Sequence, residues 1–296
     1  MSGEQGARIF DVGYRSYDGP RSAPVWALAT VWKHTLQRVL GLHRSFRHKV
    51  LPAIAVLIAF LPAVVFVGIT AFLPAIRVLN DILPSYGEYT GEITMALALF
   101  ASLVAPEALC TDRRTGMLDL YLSGPLDVKR YLAAKWAAVA SVMLVMTIGP
   151  QLFLLVSYTV VSAGPSLGDA PLLLLRIVVS GVGVALFYTA VAMGVSSLTT
   201  RRAVAAVATV LVLLVPQIAV GVAVESSNAP EELTLLTPSV ATEYAFRVFG
   251  ETRGALSEDP PIADVSTGLV VAGLVGWILL GVGVSLLSYR RQGARR

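Results

Sequence analysis

Six long apolar stretches separated by polar and charged segments dominate the chain, at about 49–73, 91–109, 135–161, 171–198, 202–224 and 266–289. About 20 mostly apolar residues carry a helix across a hydrocarbon core of about 30 Å, and each stretch has that reach. Within each one the apolar positions run continuously, whereas a barrel strand alternates over about ten residues. The pattern predicts an all-α polytopic membrane protein with six transmembrane helices, a span domain over 49–289.

The segments between the spans are patterned too. Over 25–41, Leu28, Val31, Trp32, Leu36, Val39 and Leu40 share one helical face and Thr30, Lys33, His34, Gln37 and Arg38 the other. This predicts an amphipathic interfacial helix with Trp at headgroup depth, either an elbow anchoring the first span or a gate. Between spans 2 and 3, Met117, Leu118, Tyr121 and Leu122 form one side of a short helix. Ser123-Gly124-Pro125 breaks it, and Pro125 suits the first position of the next helix, giving a helix-turn-helix elbow. In the last long loop, 225–265, Leu233 to Leu236, Val240, Tyr244, Ala245 and Val248 predict one or two short amphipathic helices dipping back toward the bilayer. The arm over 1–24, rich in Gly, Arg, Ser and Tyr, has no such period, and an ordered arm and a disordered tail both fit it.

Composition agrees with lipid as the main solvent: of 296 residues, 55% are hydrophobic and 14% charged, with a mean hydropathy of +0.72. Charge then sets sidedness. Lys and Arg collect in the N-terminal segment, in the second-to-third connection (Arg113, Arg114, Lys129, Arg130), in the fourth-to-fifth (Arg201, Arg202) and in the basic tail, 290–296. With six crossings all of these fall on one side, and the acidic last loop falls on the other. Both termini are therefore expected in the cytoplasm, on a multi-pass protein of the plasma (inner) membrane. A net charge of +4 reflects this topology and contact with anionic lipid headgroups, and predicts no nucleic-acid partner. A long polar, basic segment precedes the first apolar run, which argues against a cleaved leader.

Chemistry is mostly excluded. The chain has no phosphate-cradling Gly-x-x-x-x-Gly-Lys-Ser/Thr, so no ATPase of its own. His34, His43 and His48 lack neighbours at ligand spacing, Cys110 is alone, and no Ser-His pair lies at membrane depth, so neither a metal site nor a catalytic residue is expected. The span interiors carry no charge, with Glu107 at the end of the second and Arg176 near enough to an end to snorkel. They do carry Gly149-Pro150-Gln151 and Pro216-Gln217, each a helix break beside an amide. Gln151 and Gln217 fit either a substrate path between two subunits or helix-packing glue.

The elbow resembles the cytoplasmic coupling segment of ABC type-2 exporter permeases through Asp112-Arg113, Gly116, Met117 to Leu122, Pro125, Arg130-Tyr131 and Lys135. Arg114 stands where that pattern has a second acid. The amphipathic leading helix, the six spans and the Leu236-Thr237-Pro238 string before the last span agree with the same family. The resemblance implies a permease that dimerises with a second copy or a paralogue. It also implies an ABC ATPase subunit, holding ATP and Mg while this chain holds no cofactor, docked on a coupling helix at about 111–123. Asp112, Arg113, Met117, Leu118, Tyr121 and Leu122 are the contact residues so implied. The charge-poor interior favours an exported amphipathic or hydrophobic cargo. A carrier not coupled to ATP, or a scaffold subunit of a membrane complex, is the competing reading; the absence of buried charge argues against the first.

Overall fold

The computed structural model describes residues 24–42, 46–72, 85–122, 126–161, 168–227, 230–250 and 265–293. Most of the arm (1–23), the tail beyond 293, much of the first and last loops and the Ser123–Pro125 break lie outside them. Among the described residues the secondary structure is helical throughout. Six helices are long and apolar enough to cross a membrane: α2 (Phe46–Phe72), α4 (Thr94–Arg114), α6 (Val128–Val160), α7 (Ala170–Ser196), α8 (Arg202–Ser227) and α10 (Thr267–Gly293). Shorter helices are α1 (Pro24–Val39), α3 (Tyr86–Glu92), α5 (Met117–Leu122) and α9 (Ser239–Phe249), with a 3-10 turn at Glu231–Leu236.

Two spans run past their apolar stretches at the elbow. α4 continues through Asp112 to Arg114, and α6 begins at Val128, seven residues before the predicted start at Lys135. At 1.5 Å per residue the 33 residues of α6 extend about 50 Å, well beyond a hydrocarbon core. Asp112 and Lys135 are thus carried on the spanning helices themselves, so these spans do hold charge at that end.

α4 is the central helix. Ala96, Leu97, Phe100, Ala101, Val104, Ala105, Ala108 and Leu109 are all buried, against α2, α6, α7 and α8. Small residues let its neighbours approach. α7 crosses α10 where Gly194 meets Gly281, and a Cβ on Gly281 would run into the Ala190 carbonyl. Side chains on Gly181 and Gly183 would meet Ile148 and Tyr244 in the same way, while Gly276 and Gly283 have open space around them.

The basic segments meet at one end of the bundle, where α1 lies across α6 and α4 with Val31, Thr35 and Val39 buried. At the opposite end α3 and α9 pack together. Ser85 and Glu88 form a capping box at the start of α3, Tyr86 stacks on Phe249 at 5.7 Å, and Arg176 donates to the Phe249 carbonyl at 2.9 Å. Arg176 thereby closes the C-terminal end of α9 instead of reaching for water.

Candidate functional site

Where α4 outlasts its apolar stretch, its carboxylates must find partners, because an unpaired charge in this interior costs several kcal/mol. Asp112 is fully buried. One of its oxygens lies 2.5 Å from Arg38 Nη1 on α1, and the other lies 2.6 Å from Lys135 Nζ on α6 and accepts from the Tyr131 hydroxyl at 2.8 Å. Lys135 is itself only 1% exposed. One turn and a half earlier on α4, Glu107 pairs with Arg202 at the start of α8. Arg38 Nη2 also donates to the Glu107 and Ala108 carbonyls, 3.1 Å each. Four helices that are distant in sequence are tied together here by charge.

The turn between α7 and α8 is pinned to the same end. Arg113 Nη1 donates to the Ser197 carbonyl at 2.5 Å and the Thr199 carbonyl at 3.3 Å, while its guanidinium lies 5.6 Å from the Tyr289 ring centre. Ser288 of α10 donates to the Ser197 carbonyl at 2.5 Å, and the Cys110 thiol donates to Ser196 and Thr199 carbonyls.

α5 is seated on this cluster. Gly116, at φ +71°, takes the left-handed conformation that reverses the chain after α4, where a Cβ would be strained. Leu118 then drops into the core at 6% exposure, and the Tyr121 ring packs 5.6 Å from that of Tyr131 with Lys135 Nζ 5.8 Å from its centre. Burial holds the Tyr121 phenol above its ordinary pKa, with Asp112 adding to the shift. Outward, Met117 and Leu120 are 40% and 65% exposed. The Leu122 side chain lies outside the described residues. Of the six coupling residues named from the sequence, Asp112 and Leu118 face inward, Arg113 and Tyr121 are half-buried and engaged, and Met117 faces out. Arg38, Glu107, Tyr131, Lys135 and Arg202 complete the cluster without having been assigned a role; a lysine opening a span and an arginine ending an amphipathic helix were the local signals for two of them.

The two amides part company. Gln151 is buried, its Nε2 donating to Thr90 Oγ1 at 3.0 Å, whereas Gln217 is exposed on α8. An apolar groove of about 220 Å³ runs between α4 and α8, lined by Ser102, Ala206, Val207, Val210 and Leu211. Gln217 lies seven residues beyond Val210, two turns along the same stripe of α8. Among the described residues no group of His, Cys, Asp or Glu is placed to hold a metal ion.

No curated protein matches the chain. A family model described as ABC-2 family transporter protein matches residues 43–294, which takes in all six spans, α5 and both helices of the opposite end. With six helices of membrane-crossing length and this match over most of its length, the chain is a multi-pass membrane transport subunit that belongs to the ABC-2 transporter family.

Proposed function

We propose that the chain is the permease of an ABC exporter, driven by a separate ATPase subunit that docks on α5 from the cytoplasm and carries the ATP and Mg. The observation that carries this reading is the two-sided character of α5. Met117 and Leu120 turn apolar surface outward, while Leu118 and Tyr121 fasten the same short helix to the cluster of Arg38, Asp112, Tyr131 and Lys135. A push on such an element moves the ends of α4 and α6 with it, because a paired, buried network in a low-dielectric setting does not rearrange cheaply. The basic end is then the cytoplasmic one. Asp112 and Arg113 act in this scheme behind the docking surface, as the mount of α5.

The cargo path runs along the groove between α4 and α8 toward Gln217, and a second copy or paralogue closes it from outside. Its apolar lining, with the Ser102 hydroxyl and the Gln217 amide as its polar points, fits an amphipathic or hydrophobic molecule better than an ion. Gln151, held inside the single copy, contributes through helix packing.

Docking and seating are separable by mutation. Leu120→Asp places a charge on the outward face only, so the ATPase no longer co-purifies while the thermal midpoint of the permease holds. Leu118→Asp buries that charge and lowers both. Retention of the ATPase by Leu120→Asp at the level of the unaltered chain would sink the docking assignment.

A further inference from the structure

A line of hydrogen-bonding groups lies beneath α3, at the end of the bundle away from the ion cluster. Gln151 and Tyr158 stand seven residues apart on one face of α6, and Tyr86 and Thr90 stand one turn apart on α3. Gln151 Nε2 reaches Thr90, but Gln151 Oε1 and the hydroxyls of Tyr158 and Tyr86 are buried with no protein partner. Gln151 is 1% exposed and Tyr158 7%. Burial raises the pKa of the Tyr86 phenol, and Tyr158 adds to the shift. The neighbouring Tyr89, by contrast, donates to the Ala59 carbonyl at 2.7 Å, and Glu88 is turned back into the helix cap.

We infer that Gln151, Tyr158 and Tyr86 bind internal water between α3 and α6. The large majority of buried polar side-chain atoms in proteins are satisfied, and ordered water is the usual partner of those that no protein group reaches. No ionised side chain takes part: the atoms on offer are an amide oxygen and two phenols, each able to accept, with the phenols also able to donate. Gln151 lies nine residues short of the last residue of α6, so water reaches about 14 Å below that helix end. α3 therefore rests on a wet seat. Because Tyr86 stacks on Phe249, α3 and α9 share that seat.

Two measurements on the full-length protein in nanodiscs test this. Brief X-ray radiolysis followed by mass spectrometry oxidises side chains that touch ordered water. Tyr158 is expected to be oxidised several-fold above Phe100, which is fully buried among apolar groups, after correction for intrinsic reactivity. The conservative variant Tyr158→Phe gives the second reading. If the hydroxyl sits in a dry interior, deleting it relieves an unmet desolvation penalty and the thermal midpoint stays level or rises. If it holds water, the midpoint falls. Oxidation of Tyr158 at the Phe100 level, or a level or raised midpoint for Tyr158→Phe, overturns the proposal.

Discussion

At the residue scale, the balance at Asp112 decides what each substitution does. Asp112 answers to two cations, but they differ in their alternatives: the Arg38 side chain is 22% exposed and can turn to water, while Lys135 at 1% cannot. Asp112→Ala therefore strands a buried ammonium and is expected to destabilise by about 3–5 kcal/mol. Lys135→Met loses less, because Asp112 keeps Arg38 and the Tyr131 hydroxyl. The double variant Asp112→Ala with Lys135→Met removes both buried charges and should recover part of the loss of Asp112→Ala, a coupling that thermal unfolding of the four proteins in one detergent reads directly. Equal destabilisation by the two single variants would contradict this asymmetry. The cluster was only partly legible in the sequence. Asp112 and Lys135 stand out as charges beside apolar runs, but their pairing depends on α4 continuing past Leu109 and α6 starting before Lys135, so that the two meet across the elbow. Arg38 was harder still: it sits on the polar face of α1, 74 residues from its partner, and nothing local says that this part of the polar face is covered by α4.

At the scale of elements, the long helices were readable because 20 or more apolar residues have few other uses, whereas the short ones depended on what they pack against. α3, with the sequence Tyr-Gly-Glu-Tyr-Thr-Gly-Glu, is polar and contains two glycines, so no apolar period announces it. Its signal was the capping pair Ser85 and Glu88, and its stability comes from α9 and α6. Glycines were legible as a class but not one by one. From the sequence, Gly181, Gly183, Gly273, Gly276, Gly281 and Gly283 fit close helix contact equally well; the structure separates Gly281, whose hydrogen faces the Ala190 backbone, from Gly283, which faces open space. Gly281→Ala must force α7 and α10 apart, since the obstruction is backbone and cannot rotate away, and a loss of about 1–3 kcal/mol is expected. Gly283→Ala meets nothing and gains helix propensity, so its midpoint should stay level or rise, by up to about 1 kcal/mol. The pair is a matched control: same helix, same substitution, two residues apart.

At the scale of the whole molecule, the proposed pairing with a second copy must use one apolar surface and leave the others to lipid. Burial is unequal among the spans: 72% of the apolar window of α4 is covered, against 22% for α2, 17% for α8 and 22% for α10. Low coverage alone does not choose among the last three, because lipid satisfies an apolar face as well as protein does. Polar groups do choose. The exposed positions in the middle of α2 and α10 are apolar, including Leu57, Leu61, Val64, Leu279 and Leu280, while α8 presents Gln217 near its midpoint, beside Pro216. An amide facing hydrocarbon has no partner, and a proline at the preceding position already leaves a carbonyl one hydrogen bond short, so this stripe is the one that gains most from a protein neighbour. The groove between α4 and α8 lies on the same side, which would place the cargo path at the contact between copies. Because the chain's one cysteine, Cys110, is buried, single cysteines can be introduced with little background. Leu211→Cys and Gln217→Cys should form disulfide-linked dimers on mild oxidation in native membranes, seen as a doubled mass on non-reducing gels, whereas Leu57→Cys and Leu279→Cys should stay monomeric. Should Leu279→Cys link as readily as Leu211→Cys, the dimer would have to close on α10, and the groove beside α8 would open to lipid instead of to a second subunit.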